Sequence, residues 1–151
     1  MDKMILESLI EYKKAIDEKR LSPNEISSYI VSKPWGNEIW HELNENYVLK
    51  RIYINKGHKS SLQSHKKKVE TNVIIQGKAE VLLEDENHEM ISHIFYPGHG
   101  WSVKPKQKHR VIALENLELI EVSTPHLNDV IRYEDDTNRS SGKIVQEHNN
   151  V

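Results

Sequence analysis

The sequence predicts an all-β fold, a small antiparallel barrel or jelly roll preceded by a helical extension, and three observations carry that reading. From Ser32 onward, short runs rich in β-branched and aromatic residues recur between Gly, Pro and Asn turn signals. No helix-period segment separates those runs. A clear 3.6-residue period occurs ahead of them, near the N-terminus.

Ile5, Leu9, Tyr12 and Ile16 recur at spacings of four, three and four among charged residues, so residues 2–20 predict an amphipathic helix. Ser22, Pro23 and Glu25 read as a capping box with proline in the first helical position, which predicts a second short helix over 23–31. Strands are predicted at 38–41, 47–54, 60–65, 70–75, 79–84, 90–96, 101–104, 110–114 and 117–122. The turns between them fall at Asn55 to Gly57, Gln76-Gly77 and Pro97 to Gly100. The organisation that follows is a helical extension at 1–31, a barrel at 32–136 and a loose polar tail at 137–151.

Composition excludes several classes of function. The formal net charge of -2 argues against nucleic acid as the partner, because a surface that tracks phosphates carries a basic excess. With no cysteine in the chain, disulfides and thiolate metal sites are excluded, and any metal must take N and O ligands. Without a signal-peptide core or an apolar run of about 18 residues, the expectation is a soluble cytoplasmic protein that does not enter a membrane.

The chemistry gathers between Gly57 and Gly77. Gln63 and His65 sit two apart, so on a strand an amide oxygen and an imidazole converge on one face. Glu70 follows the Lys66, Lys67, Lys68 run, and His109 is the later residue able to close a ligand set. Lys68, two residues from Glu70, faces the same interior; beside a bound cation its ammonium pKa would fall and fit it for acid/base work. The run 47–54 offers either Lys50 or the pair Arg51 and Tyr53 to the interior according to register, and Arg51 and Tyr53 are the preferred lining. Lys66, Lys67 and Lys68 join Lys104, Lys106, Lys108 and Arg110 as an expected basic rim for an anionic substrate. Arg110, next to His109, points away from the metal by strict alternation and pairs with Glu134 or Asp135, unless a bent rim lets it reach a substrate phosphate. His58 and His99 are reserve ligands on loops.

The spacing Gly57, Gln63, His65, Glu70, Gly77 resembles the first motif of the cupin barrels, with Gln in place of a first His, and Gly98 to His109 more loosely resembles the second. Pro34-Trp-Gly36, the stretches 47–57 and 61–65, His109-Arg110, 117–122 and 128–136 are similar, in order, to the C-terminal cupin domain of type II mannose-6-phosphate isomerase/mannose-1-phosphate guanylyltransferases. The resemblance implies a double-stranded β-helix barrel and a homodimer. It also implies a divalent metal on Gln63, His65, Glu70 and His109, foremost Zn2+, with Fe2+, Mn2+, Ni2+ or Co2+ as the other candidates. The nucleotide loop of the guanylyltransferase half is absent, so that activity is not expected. Where the family has Arg-Ala-Glu-His-Trp, this chain has Lys68-Val-Glu-Thr-Asn72, losing a ring that could stack on sugar.

The leading expectation is therefore a metal-dependent sugar-phosphate isomerase in nucleotide-sugar or polysaccharide supply, with a sugar phosphate or nucleotide sugar as its small-molecule partner. A non-catalytic sugar-binding cupin and an Fe(II) dioxygenase are the two alternatives.

Overall fold

The computed structural model describes residues 1–22 and 24–148. Its first element is a helical segment made of α1 (Lys3–Ser8), a π-helical turn (Leu9–Lys13) and α2 (Lys14–Asp17). Ser8, Tyr12 and Ile16 form its buried stripe. Eleven strands follow among the described residues: β1 (Tyr29–Lys33), β2 (Gly36–Leu43), β3 (Val48–Ile54), β4 (Leu62–His65), β5 (Glu70–Gln76), β6 (Ala79–Glu84), β7 (Met90–Phe95), β8 (Gly100–Val103), β9 (His109–Ala113), β10 (Leu117–Ser123) and β11 (Val130–Glu134). They make two antiparallel sheets, β1-β2-β3-β10-β5-β8 and β11-β4-β9-β6-β7.

The expected second helix over 23–31 does not form. Residues 24–28 are turn and irregular backbone, and β1 begins at Tyr29; Pro23 lies outside the described residues. The period decides against the cap signal: Tyr29 and Val31 are buried while Ile30 and Ser32, which alternate with them, are exposed, which is strand alternation. Strand β11 was also not among the expected strands. The tail is not loose up to residue 148, since residues 145–148 form a short 3-10 turn whose buried Glu147 accepts hydrogen bonds from Lys33 and Arg139. Residues 149–151 of that expectation lie outside the described residues. Gly77 carries a turn that other residues resist, with φ +92° and a would-be Cβ only 2.3 Å from the carbonyl oxygen of Asn116.

Apolar packing divides into two clusters. Between the sheets, Ile52, Ile54, Ile74, Val81, Leu117 and Leu119 pack with Trp35 and Trp101. A second cluster, Tyr12, Ile16, Tyr29, Val31, Trp40, Leu43 and Val48, seats the helical segment against β1, β2 and β3. Burying side chains of this kind contributes about 1.5–3 kcal/mol each. Between the clusters the inner faces turn polar. Tyr29, Trp40, Lys50, Glu121, Asn72 and Trp101 are successive cross-strand partners through all six strands of the first sheet, and all are buried. In the second sheet the corresponding row is Arg132, Gln63, His109 and Leu83.

Candidate metal centre

Three strand ends place the candidate ligands. His65 ends β4, Glu70 opens β5 on the opposite sheet, and His109 opens β9. The loop from β4 to β5 is held by Asp129, whose Oδ2 accepts the backbone N–H groups of Lys67 at 2.8 Å and Lys68 at 3.0 Å. Its other oxygen lies 3.5 Å from His65 Nδ1. The Nδ1 of His109 lies 2.9 Å from the carbonyl oxygen of Gln107. A carbonyl only accepts, so that nitrogen carries the proton and Nε2 is left with its lone pair.

Both Nε2 atoms face Glu70, His65 at 3.6 Å from Oε2 and His109 at 3.5 Å from Oε1. Both are buried without a hydrogen-bond partner. The three donor atoms lie within 4.8 Å of one another. Ligand atoms bound at about 2.1 Å and tetrahedral angles stand about 3.4 Å apart, so these separations suit three ligands around one ion. The imidazoles are further oriented by Asp129 and Gln107, as metal-bound histidines usually are. The residues therefore fit a divalent ion, and two nitrogens with carboxylate oxygen do not select zinc over other first-row metals. Gln63, the fourth expected ligand, is the register partner of His109 and lines the same cavity; its Oε1 accepts from Ser61 Oγ at 2.6 Å.

The cavity has a volume of about 120 Å³, several times what one water needs. A chain of alternating charges crosses its wall on the first sheet. Glu38 meets Lys50 at 3.1 Å, Lys50 meets Glu121 at 3.8 Å, Glu121 meets Lys68 at 3.3 Å, and Lys68 meets Glu70 at 2.9 Å. Burial would raise the Glu70 carboxyl, but Lys68, His109 and His65 outweigh it and hold Glu70 well below the usual carboxylate range. For Glu121 burial prevails over the attraction of Lys68, with Glu70 adding repulsion, and its carboxyl is pushed up to about 7. His65 is pushed down to about 4, first by burial and then by Lys68.

Several expected site residues are placed differently. The Lys68 ammonium faces the interior with Glu70, as alternation predicts; burial opposes its charge, and Glu121 and Glu70 more than restore it, which raises its pKa. Arg51 and Tyr53 do not line the cavity. They sit on the outer face, both reaching Glu118, and Lys50 points inward with Val48, Ile52 and Ile54. Lys66 is exposed and is not part of the cavity wall. Arg110 points away from the imidazoles and meets Glu134, as alternation predicts, and also Asp136, while its Nε donates to Ser60 O at 2.7 Å; it does not line the cavity as a substrate contact would. Glu38, Glu121, Asp129 and Arg132 were missed. For Glu121 a signal existed, since it shares strand parity with the buried Leu117 and Leu119.

A two-sheet antiparallel barrel with a His, Glu, His group at its inner polar end defines a cupin. Solved structures share the fold. An RmlC-like cupin from Shewanella frigidimarina matches at TM-score 0.58, 16% identical, covering 65% of this chain and 84% of that one. Oxalate decarboxylase from Bacillus subtilis matches at TM-score 0.64, 21% identical, covering 76% of this chain and 33% of that one. Within the cupins, the chain belongs to the mannose-6-phosphate isomerase C-terminal family, whose model matches residues 24–135. A Vibrio cholerae serotype O1 protein, provisionally named a mannose-1-phosphate guanylyltransferase, is 32% identical over 107 residues, covering 68% of this chain. The chain spans 22% of that relative's length. No helix among the described residues is long and apolar enough to cross a membrane.

Proposed function

We propose that the protein is a divalent-metal-dependent isomerase of a sugar phosphate. The observation that carries this reading is the convergence of His65, Glu70 and His109 from both sheets onto a cavity where the Lys68 ammonium lies 2.9 Å from Glu70. Gln63, His65, Glu70 and His109 are the ligands, and a divalent ion bound there would supply Lewis-acid stabilisation of a developing oxyanion. Isomerisation moves the C2 proton of the aldose to C1 through a cis-enediol, while the hydroxyl proton passes from O2 to O1. Lys68, kept charged by Glu70 and Glu121, donates a hydrogen bond to the oxygen that gains charge. Glu121, which lines the cavity 3.3 Å from Lys68 Nζ, takes the proton from C2 and returns it to C1. Trp35, Trp40 and Tyr12 line the cavity and offer rings for the sugar in place of the one missing at Asn72. The reading extends to a homodimer, which the family resemblance implies, and to a cytoplasmic location, which the sequence reading favours.

One observation favours a second reading, a cupin that binds a sugar phosphate without turning it over: the Lys68 ammonium is locked between two carboxylates. A single experiment separates the two. Protein purified without a metal-affinity step is analysed for metal, loaded in turn with Zn2+, Mn2+ and Fe2+, and incubated with a panel of aldose and ketose phosphates. Interconversion of one pair, lost in His109→Ala, supports the isomerase; binding of a sugar phosphate by the metal-loaded protein with no conversion supports the second reading. Failure of the wild type to take up any divalent metal sinks the mechanism. Oxygen uptake by the Fe2+ form would replace both readings with a dioxygenase.

A further inference from the structure

Six cationic side chains line the cavity: Lys33, Lys50, Lys68, Arg132, Arg139 and Lys143. Five of them hold a carboxylate. Lys33 pairs with Glu147, Lys50 with Glu38, Lys68 with Glu70, Arg139 with Asp135, and Lys143 with Glu11. Arg132 forms no ion pair among the described residues. Its Nη1 donates to the carbonyl oxygens of Ser140 and Gly142, at 2.5 Å and 2.9 Å, and its buried Nε has no acceptor. The two carbonyls pin one edge of the guanidinium and leave the Nε edge unmatched. A cation in such surroundings is costly unless an anion joins it.

Its position gives the anion a context. Arg132 is the register partner of Gln63 across β11 and β4, and Gln63 is the partner of His109 across β4 and β9. Two strand spacings of about 4.8 Å place the Arg132 backbone roughly 10 Å from that of His109 along one inward row. That separation suits a ligand with a phosphate at one end and a carbonyl at the other. Guanidinium matches phosphate as a two-pronged donor, and an orientation fixed in advance reduces the entropy lost on binding.

We propose that Arg132 anchors an anion subsite in this cavity, which takes the phosphate of the substrate while its carbonyl end reaches His65, Glu70 and His109. The sugar part of the proposal rests on the isomerase reading above; the phosphate part does not.

The test titrates inorganic phosphate by calorimetry into wild-type protein stripped of metal with a chelator, so that no ion can bind the phosphate in place of Arg132. Saturable binding is expected, weakened by at least about tenfold in Arg132→Met, with the melting temperature confirming a folded variant. No phosphate binding by the stripped wild type, or equal binding by a folded Arg132→Met, overturns the subsite. Should Arg132→Met not fold, Arg132→Lys decides: it keeps the charge and loses the fork, so weaker binding supports the proposal and unchanged binding overturns it. The two levels fail separately. Phosphate binding through Arg132 with no sugar-phosphate conversion by the metal-loaded protein keeps the subsite and removes the isomerase, whereas conversion with an unchanged KM in Arg132→Met removes the subsite alone.

Discussion

The two sheets bring unlike chemistry to the cavity between them. On the six-stranded sheet the charges answer one another, Glu38 to Lys50 to Glu121 to Lys68 to Glu70, with Trp40 under the Lys50 ammonium at 4.7 Å from its ring centre. The five-stranded sheet brings His65 and His109, whose Nε2 atoms have no hydrogen-bond partner, and Arg132, whose Nε has none. One wall is a closed electrostatic network that supports itself; the other holds open valences that need a ligand. Glu70 belongs to both, because it ends the ionic chain and faces both imidazoles. The unmet bonds mark where a ligand is needed, while the ionic chain fixes Lys68 and Glu121, the two groups proposed to act on it.

Glu70→Gln attacks the shared residue and has the largest expected effect: bound divalent metal falls to background in elemental analysis, because the site loses its one anionic ligand. Next comes Lys50→Met on the closed wall. Leaving Glu38 buried without its cation, and Glu121 with Lys68 alone, costs about 3 kcal/mol or more in urea unfolding, and Lys50→Met with Glu121→Gln recovers part of the loss. On the open wall, Asp129→Asn weakens the orientation of His65 and lowers metal affinity by about 10- to 100-fold in competition with a chelating dye. An unchanged affinity would show that Asp129 only shapes the loop.

The aromatic end of the closed wall gives a smaller, pH-dependent effect. His148 stacks on Tyr12 at 5.2 Å, and burial, then Lys33 and Lys143, bring its pKa from 6.5 down to about 4. Between those two values the unfolded chain binds a proton that the folded one does not, so stability falls as pH drops from about 6.5 towards about 4 and is unaffected by this group above that window. Urea midpoints at pH 7.5 and pH 5 should differ less in His148→Phe than in the wild type. The smallest effect is expected from Arg51→Ala on the outer face, within about 0.5 kcal/mol and with no change in metal or phosphate binding.

The barrel and the nearness of Gln63, His65 and Glu70 were legible because they rest on short-range periodicity. Gln63, His65 and Glu70 lie close in sequence, and alternation alone directs Lys68 and Glu70 to one face. The closed wall was harder to read. Choosing between Lys50 and Arg51 is a question of register, and the deciding fact is that Lys50 shares parity with Val48, Ile52 and Ile54, which fill the interior. The same parity argument explains the departures after Glu70. Thr71 is exposed and bonds Ser102, so a change there leaves the cavity alone, whereas Asn72 faces inward and reaches Glu70 at 3.4 Å. The second helix failed because a capping pattern fixes only where a helix could start, and the buried Tyr29 and Val31 require a strand. Asp129 and Arg132 act through pairing with β4, a contact between residues more than sixty apart that local pattern does not reveal.

The division of His65, Glu70 and His109 between the sheets also bears on the order in which their contacts form. His65 and Glu70 are joined by a short loop, but His109 arrives on a strand nearly forty residues later and across the sandwich. Contacts of such separation are made late, after the cost of closing long loops has been met. A bound ion would then stabilise the finished barrel more than the transition state that precedes it. Removing an ion bound at His65, Glu70 and His109 should therefore hasten unfolding while leaving the refolding rate nearly unchanged.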